Sequence, residues 1–414
     1  MPVAIEPKGG YTNVLPAMPV GSLINQYHCL MVSDKGVIRL RPLYALSAIL
    51  MSGYAAVFTL LAALRDTFGL GELAIGAIAG SAFIAGFIAQ IALSRFADQG
   101  QGNWLMRIGM VASIVGAAWM CIAESFTAWL MARVLLGFGA GAIRPAIRRL
   151  AFVIEPDRAG EMMGKLTAWE MVGFLIGPVL ASVLFELGGL RLPFYGLTAL
   201  LLLVSPFVIN LAIPGSDSPM GNPMRTLIKM PAMQSCIALG VAFYFAVGAF
   251  DAIWALFISD LGASQLYIGI TMSLFTLPMI FIAPLAGSYA AKHPLLPLLL
   301  KSLGLATLMI ICYTLIESIW WICLPLIIHA TVDAVSMPAM QLAVGKASGE
   351  QALAAGQGLF GAVGLIVAAV ASLGSGLLYQ YYGGLIVWLA VAICMVICLS
   401  FGYWRGRALP VLMH

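Results

Sequence analysis

The sequence predicts an all-α integral membrane protein, with twelve transmembrane helices laid out as two six-helix repeats. Three observations carry that expectation. Hydrophobic residues make up 62% of the chain and charged ones only 9%, with a mean hydropathy of +1.01, whereas a soluble domain carries about 25% charge. The 414 residues divide into twelve apolar runs, each near the roughly 20 residues a helix needs to cross hydrocarbon. Lysine and arginine collect in alternate connections between those runs, as they do when one membrane face is cytoplasmic.

In chain order, residues 1–42 mix Gly, Pro and polar positions. They read as a cytoplasmic N-terminal segment rather than as a basic start followed by the apolar core of a signal peptide. Spanning segments follow near 43–64, 73–96, 105–123, 126–147, 165–187 and 192–213, which compose a first six-helix bundle, 43–213. Residues 214–233 contain the polar, Pro- and Ser-bearing stretch Pro214 to Met230, the expected linker on the cytoplasmic side. A second bundle, 234–405, holds segments near 234–257, 266–289, 296–316, 318–341, 356–379 and 384–404, and 406–414 form a cytoplasmic tail.

With both termini inside, eighteen of the 21 Lys and Arg residues fall on the internal side. Only Arg65 and Arg191 fall outside, and Arg133 lies within the fourth span. Gaining or losing one helix would destroy that asymmetry, so the even count and the orientation stand together. The expected setting is a plasma (inner) membrane crossed many times, with the lipid bilayer as the main partner. A net charge of +4 gives no footprint for nucleic acid. The seven cysteines lie mostly in apolar runs, and Cys394 and Cys398, four apart on one helix face, read as packing residues rather than a metal or redox pair.

The two halves match at a nearly constant offset of 193 residues. Gly69, Leu73, Ile75 and Gly76 correspond to Gly262, Leu266, Ile268 and Gly269; Ala97 to Ala290; Glu124-Ser125 to Glu317-Ser318; and Pro145-Ala146 to Pro338-Ala339. A parallel repeat of this kind places a pathway on the axis between the halves, near the midplane.

Several local motifs then resemble those of the major facilitator superfamily, over roughly residues 43–405. The connection after the second span, Ser94-Arg95-Phe96-Ala97-Asp98-Gln99-Gly100-Gln101-Gly102-Asn103, is similar to that family's Gly-x-Leu-Ala-Asp-Arg-x-Gly-Arg-Lys loop. It keeps the Ala-Asp pair and a nearby Gly and lacks the basic residues that follow. The resemblance makes Asp98 a gating residue; otherwise it is a solvated loop carboxylate. In the fourth span, Arg133-x-x-x-Gly137-x-Gly139-x-Gly141 resembles the family's Arg-x-x-x-Gly motif, linked to proton coupling. In the fifth, Gly173-x-x-x-Gly177-Pro178 resembles the motif of its proton-coupled exporters, although close glycines also serve plain helix packing. Glu155-Pro156-Asp157-Arg158-Ala159-Gly160 resembles the family's loop between the fourth and fifth spans; with Arg144, Arg148 and Arg149 it forms a basic face read as a topology anchor near anionic lipid.

Charged groups inside spans are rare and expensive, about 2.5–3.5 kcal/mol by insertion scales, which makes each one informative. Asp251, within Phe250-Asp251-Ala252-Ile253-Trp254, is the first candidate for reversible protonation. Glu170, one turn before the Gly-Pro motif, is the second, and a structural salt bridge explains it equally well. His329 and Asp333 are four residues apart and share a helix face, where an imidazole and a carboxylate can pair or pass a proton. Arg133 either faces a partner or snorkels outward. Tyr54, Trp169, Tyr244, Trp254 and Phe360 are the rings available to line a substrate cavity.

No Gly-x-x-x-x-Gly-Lys-Ser/Thr loop, soluble nucleotide-binding stretch, metal-ligand cluster or hydrolase set is present in the sequence, so no cofactor, metal or enzymatic activity is expected. The resemblance implies a monomeric secondary transporter working by alternating access, with protons exchanged for small amphipathic or drug-like molecules. The alternative is a symporter or facilitator importing a sugar, organic acid or amino acid; the apolar first span, with only Ser47, Ser52, Tyr54 and Thr59 as polar positions, favours export of hydrophobic compounds. A membrane enzyme or non-transporting sensor would need a soluble domain or a polar catalytic cluster at one face.

Overall fold

The computed structural model describes residues 35–96, 100–154, 159–209, 224–349 and 352–413. Residues 42–414 form one compact unit, and the described residues before it, 35–41, are helical. The described residues contain α-helix and short turns and no strand. In order the helices are α1 (Lys35–Thr59), α2 (Leu61–Phe68), α3 (Glu72–Phe96), α4 (Gly102–Met120), α5 (Phe126–Ile154), α6 (Ala159–Gly188) and α7 (Leu192–Val208). They continue with α8 (Met224–Leu227), α9 (Pro231–Asp260), α10 (Gln265–Ala290), α11 (Leu295–Tyr313), α12 (Cys323–Ser348), α13 (Leu353–Gly406) and α14 (Pro410–Met413).

Among the described residues, nine helices are long and apolar enough to cross a membrane. That count leaves out α4, the predicted segment near 105–123, and the predicted segments and the helices differ in extent at three further places. The first segment breaks at Leu60, where its N–H is shared between the Ala56 and Val57 carbonyls and the axis restarts as α2. The last two segments both fall within α13, which a kink at Gly383 divides into two helices at the boundary the sequence predicts; its φ 74°, ψ 179° is a conformation essentially reserved for glycine. In the segment near 192–213 the described residues are helical over Leu192–Val208, 17 residues.

The outer surface is itself apolar. Ile122, Leu203, Phe207, Phe281, Leu285, Leu315, Ile393 and Ile397 are all exposed, which no aqueous surface tolerates in such number and hydrocarbon does. Trp320, Trp321, Tyr381, Tyr382, Tyr403 and Trp404 are exposed near helix ends, where amphipathic rings meet the headgroup layer.

Packing inside is by small residues, because lipid gives apolar side chains no reason to prefer one another and close backbone approach supplies the attraction. α3 packs on α5 and α13, α6 on α10, and α9 on α13. A Cβ built on Gly76 of α3 would lie 2.5 Å from the Ser372 carbonyl oxygen and 3.0 Å from the Gly376 Cα of α13. Its sequence mate Gly269 of α10 meets the Pro178 carbonyl oxygen at 2.7 Å and Ser182 Oγ at 2.2 Å on α6. The matched turn residues Gly69 (φ 60°) and Gly262 (φ 89°) share the left-handed conformation, so equivalent sequence positions do equivalent backbone work in both halves.

At the end of the bundle where α2, α9 and α13 meet, hydrogen bonds join the halves. Arg65 Nη2 donates to Asp260 Oδ1 at 2.7 Å, and Tyr379 Oη donates to Asp260 Oδ2 at 2.6 Å. Asp66 lies 2.9 Å and Glu72 3.9 Å from the same guanidinium. Burial works against the Arg65 charge, yet Asp260 and Asp66 hold its pKa above the ordinary arginine value. Gln265 Nε2 donates to the Thr59 carbonyl at 2.9 Å, Gln380 Oε1 accepts from the Leu73 N–H at 3.2 Å, and Ser273 Oγ donates to the Leu175 carbonyl at 2.6 Å.

Candidate functional site

The glycines of α5 explain where Arg133 is held. A Cβ on Gly137 would sit 2.5 Å from the Ala82 carbonyl oxygen, and one on Gly141 2.5 Å from that of Gly86, both on α3. Gly139, pointing the other way, meets Ser113 Oγ of α4 at 2.2 Å. The helix is wedged between α3 and α4, and Arg133, one turn before Gly137, is carried inward instead of snorkelling. It is completely buried. Its guanidinium carbon lies 4.6 Å from the ring centroids of both Tyr54 and Phe58, one turn apart on α1.

Two ring faces return about 0.5–2 kcal/mol each to a cation, while removing an ion from water costs several kcal/mol. The balance is incomplete, because Nε, Nη1 and Nη2 have no hydrogen-bond partner among the described residues. The compensating charge is Asp251 of α9, 7% exposed, whose carboxylate interacts electrostatically with Arg133 without a hydrogen bond between them. A cation from one half and a carboxylate from the other are thus near enough for their charges to interact. Phe58 escaped the sequence reading, although its i+4 spacing from Tyr54 puts both rings on one helix face.

Glu170 of α6 lies 3.5 Å from Arg144 Nε of α5, with both side chains partly exposed, and Arg144 Nη2 approaches Met51 Sδ at 3.1 Å. Ser47, Thr167, Arg144 and Glu170 line a small cleft there. Arg144, which the sequence places in a basic face as a topology anchor near anionic lipid, turns to a carboxylate of the neighbouring helix.

His329 and Asp333 of α12 are both buried, with Nε2 and Oδ2 3.5 Å apart. Tyr313 of α11, not singled out by the sequence, shares a 3.0 Å hydrogen bond with His329 Nδ1, and Phe275 of α10 meets the imidazole edge-on at 5.2 Å.

The five aromatic candidates scatter. Tyr54 belongs to the Arg133 site, and Tyr244 and Phe360 contact each other at 5.7 Å. Trp254 is fully enclosed, stacked on Phe250 at 4.8 Å, beside Tyr313 and Trp388, with Nε1 donating to Thr271 Oγ1 at 3.0 Å. Trp169 is 46% exposed. Gly173 and Gly177 pack α6 on α1, where a Cβ would meet the Ala48 carbonyl oxygen at 2.1 Å and that of Ser52 at 2.7 Å, and Pro178 turns its carbonyl to Gly269. Asp98 lies outside the described residues. Among the described residues no group of His, Cys, Asp and Glu is placed to hold a metal ion.

The family model of the Major Facilitator Superfamily matches residues 43–233 and 236–411. The chain belongs to that superfamily. Its relatives within the superfamily include the multidrug resistance protein MdtG of Proteus mirabilis, 25% identical over 232 residues, which cover 53% of this chain and 57% of that protein. The synaptic vesicular amine transporter of Homo sapiens is 33% identical over 128 residues, 30% of this chain and 25% of that protein. The aligned part is thus little more than half of the first relative and a quarter of the second. Among solved structures, a bacterial homolog of the human lysosomal transporter Spinster, in an inward-facing and occupied conformation, superposes with a TM-score of 0.76 at 17% identity, covering 90% of this chain and 97% of that one. The nucleoside transporter NupG gives 0.70 at 15% identity, covering 89% and 99%. These two likenesses show the fold alone and say nothing of a substrate; the family match makes the chain a multi-pass membrane protein.

Proposed function

We propose that this superfamily member is a secondary active transporter that exports small amphipathic molecules in exchange for protons. Two six-helix halves, 43–213 and 234–405, rock about a central site, giving twelve crossings joined by the 214–233 linker. Segments 1–42 and 406–414 face the cytoplasm of a plasma-membrane monomer. The observation that carries the reading is the buried Arg133 and Asp251 pair, one charge from each half. Asp251 alternates between protonated and charged forms, and Arg133 sets its proton affinity. Glu170 with Arg144, and His329 with Asp333 and Tyr313, are auxiliary proton sites. Tyr54, Tyr244 and Phe360 line the pathway, while the enclosure of Trp254 supports a packing role and the exposure of Trp169 a place at the surface. Asp98 gates the cytoplasmic side, and Gly173, Gly177 and Pro178 set the fit of α6 between α1 and α10. The export direction draws on the name of the MdtG relative.

The test is substrate-induced proton movement in proteoliposomes holding a pH dye, for wild type and Asp251→Asn, across lipophilic compounds and polar nutrients. Proton flux driven by lipophilic compounds, lost in Asp251→Asn with binding retained, is the expected result. Flux with a polar nutrient alone would replace export by nutrient symport, and undiminished flux in Asp251→Asn would remove the proton role from that residue.

A further inference from the structure

Arg133 is left with unmade hydrogen bonds on all three nitrogens although it is completely enclosed. Ring faces at 4.6 Å steady its charge but offer no oxygen to its N–H groups, and a guanidinium presents those groups as a planar fork that fits a carboxylate with two parallel bonds. Asp251 stands on the facing half within electrostatic range and does not take the fork. Arg133 therefore offers a donor fork and Asp251 a carboxylate of opposite charge, one from each half and close enough for their charges to interact.

Building on the transport reading above, we infer that the transported molecule is a zwitterion whose carboxylate lies on the Arg133 fork and whose ammonium lies on Asp251, with an apolar body against Tyr54 and Phe58. A purely cationic guest at Asp251 is repelled by Arg133. A purely anionic guest at Arg133 is repelled by Asp251 once that group has lost its proton, and leaves that carboxylate without a partner. Both repulsions are strong where the dielectric is low and salt does not screen, and only a dipolar guest satisfies both partners. Among the described residues the charged and titratable groups acting on the site are Tyr54 and Asp251 on Arg133, Arg133 on Asp251, and Arg133 with Arg144 on Tyr54. The proton balance is that of an exchanger. The protonated Asp251 gives its proton to the open aqueous side, the resulting carboxylate receives the ammonium, and one proton leaves for each molecule bound.

A matched trio of fluorescent probes tests this on the detergent-solubilised full chain: Nε-dansyl-lysine as the zwitterion, its methyl ester as the cation and its Nα-acetyl derivative as the anion. Wild type is expected to bind the zwitterion at least about tenfold more tightly than either relative, a margin of roughly 1.4 kcal/mol. Arg133→Gln removes the preference over the ester and Asp251→Asn removes the preference over the acetyl derivative, while Arg133→Lys, which keeps the charge without the fork, restores only part. The wild-type ranking needs no variant to fold. Equal or tighter binding of the ester or of the acetyl derivative, or failure of the zwitterion to bind, overturns the inference. A pH dye in weak buffer reports the proton separately: zwitterion preference without proton release upholds the substrate class and sinks the exchange reading, whereas proton-coupled flux of a compound bearing only positive charge upholds exchange and sinks the substrate class.

Discussion

Removing the Arg65 to Asp260 tie should shift the protein toward conformations open at that end. Arg65 is 15% exposed and Asp260 43%. A buried charge-assisted hydrogen bond contributes about 1.5–3 kcal/mol and a fully exposed ion pair about 0.2–1; the half-exposed carboxylate places this contact between them, at about 1–2 kcal/mol. Tyr379 on the second oxygen of Asp260 fixes the carboxylate and so reduces the entropy lost on pairing. The expected change in the ratio of closed to open forms is roughly 5–30-fold. Spin labels at Ser125→Cys and Glu317→Cys, on matched connections of the two halves, report that ratio by pulsed electron resonance in a background without native cysteines. Arg65→Gln and Asp260→Asn should each add a longer distance, the double variant should add little beyond either, and raised ionic strength should push wild type the same way. Unchanged distances, or effects of the two substitutions that simply add, would refute the argument that these residues hold the halves together.

Gly173→Val places side-chain atoms where the Ala48 carbonyl already lies 2.1 Å from a bare Cβ, so melting in detergent should reveal a loss of at least about 2 kcal/mol. Gly304→Ala, with open space around its Cβ, should leave stability unchanged or raise it by up to about 1 kcal/mol through helix propensity. Gly383→Ala forces a Cβ into φ 74°, ψ 179°, at a cost of about 1–3 kcal/mol in the same melt. For the His329 pair, His329→Gln and Asp333→Asn should reduce proton-driven flux to a similar extent without summing in the double variant, as flux assays in proteoliposomes will show, whereas Tyr313→Phe should have a smaller effect because the imidazole keeps its carboxylate partner.

What the sequence made legible follows from what hydrocarbon penalises. Arg133, Asp251, His329 and Asp333 stand out because each is a costly exception within an apolar run, and His329 and Asp333 were readable as a pair because helix geometry alone brings i and i+4 together. That Arg133 and Asp251 interact electrostatically was not readable, since only the fold brings residues 133 and 251 within range of each other's charge. Asp260 and Tyr379 stayed unnoticed for a related reason: a charge or a tyrosine at a helix end costs nothing, so nothing marks it. Arg144 was read through its loop and basic neighbours, while its own turn of α5 directs it to Glu170. Trp254 shows the limit of aromatic content as a signal, because a ring that lines a pathway and a ring that fills a core look identical in one dimension. The break at Leu60 left no mark either, as no glycine or proline sits there, whereas Gly383 lies in the Tyr382-Gly383-Gly384 stretch between two apolar runs.

The contacts of Gly76 with α13 and of Gly269 with α6 have a mechanical meaning. Interlocked side chains act as gear teeth, and one helix can turn against another only by lifting them apart. Gly76 lies on bare backbone and Gly269 on the Pro178 carbonyl and the short Ser182 side chain, so each contact behaves as a nearly smooth bearing, and two bearings at equivalent places in the repeat define an axle. A methyl group at either point would turn the bearing into a stop.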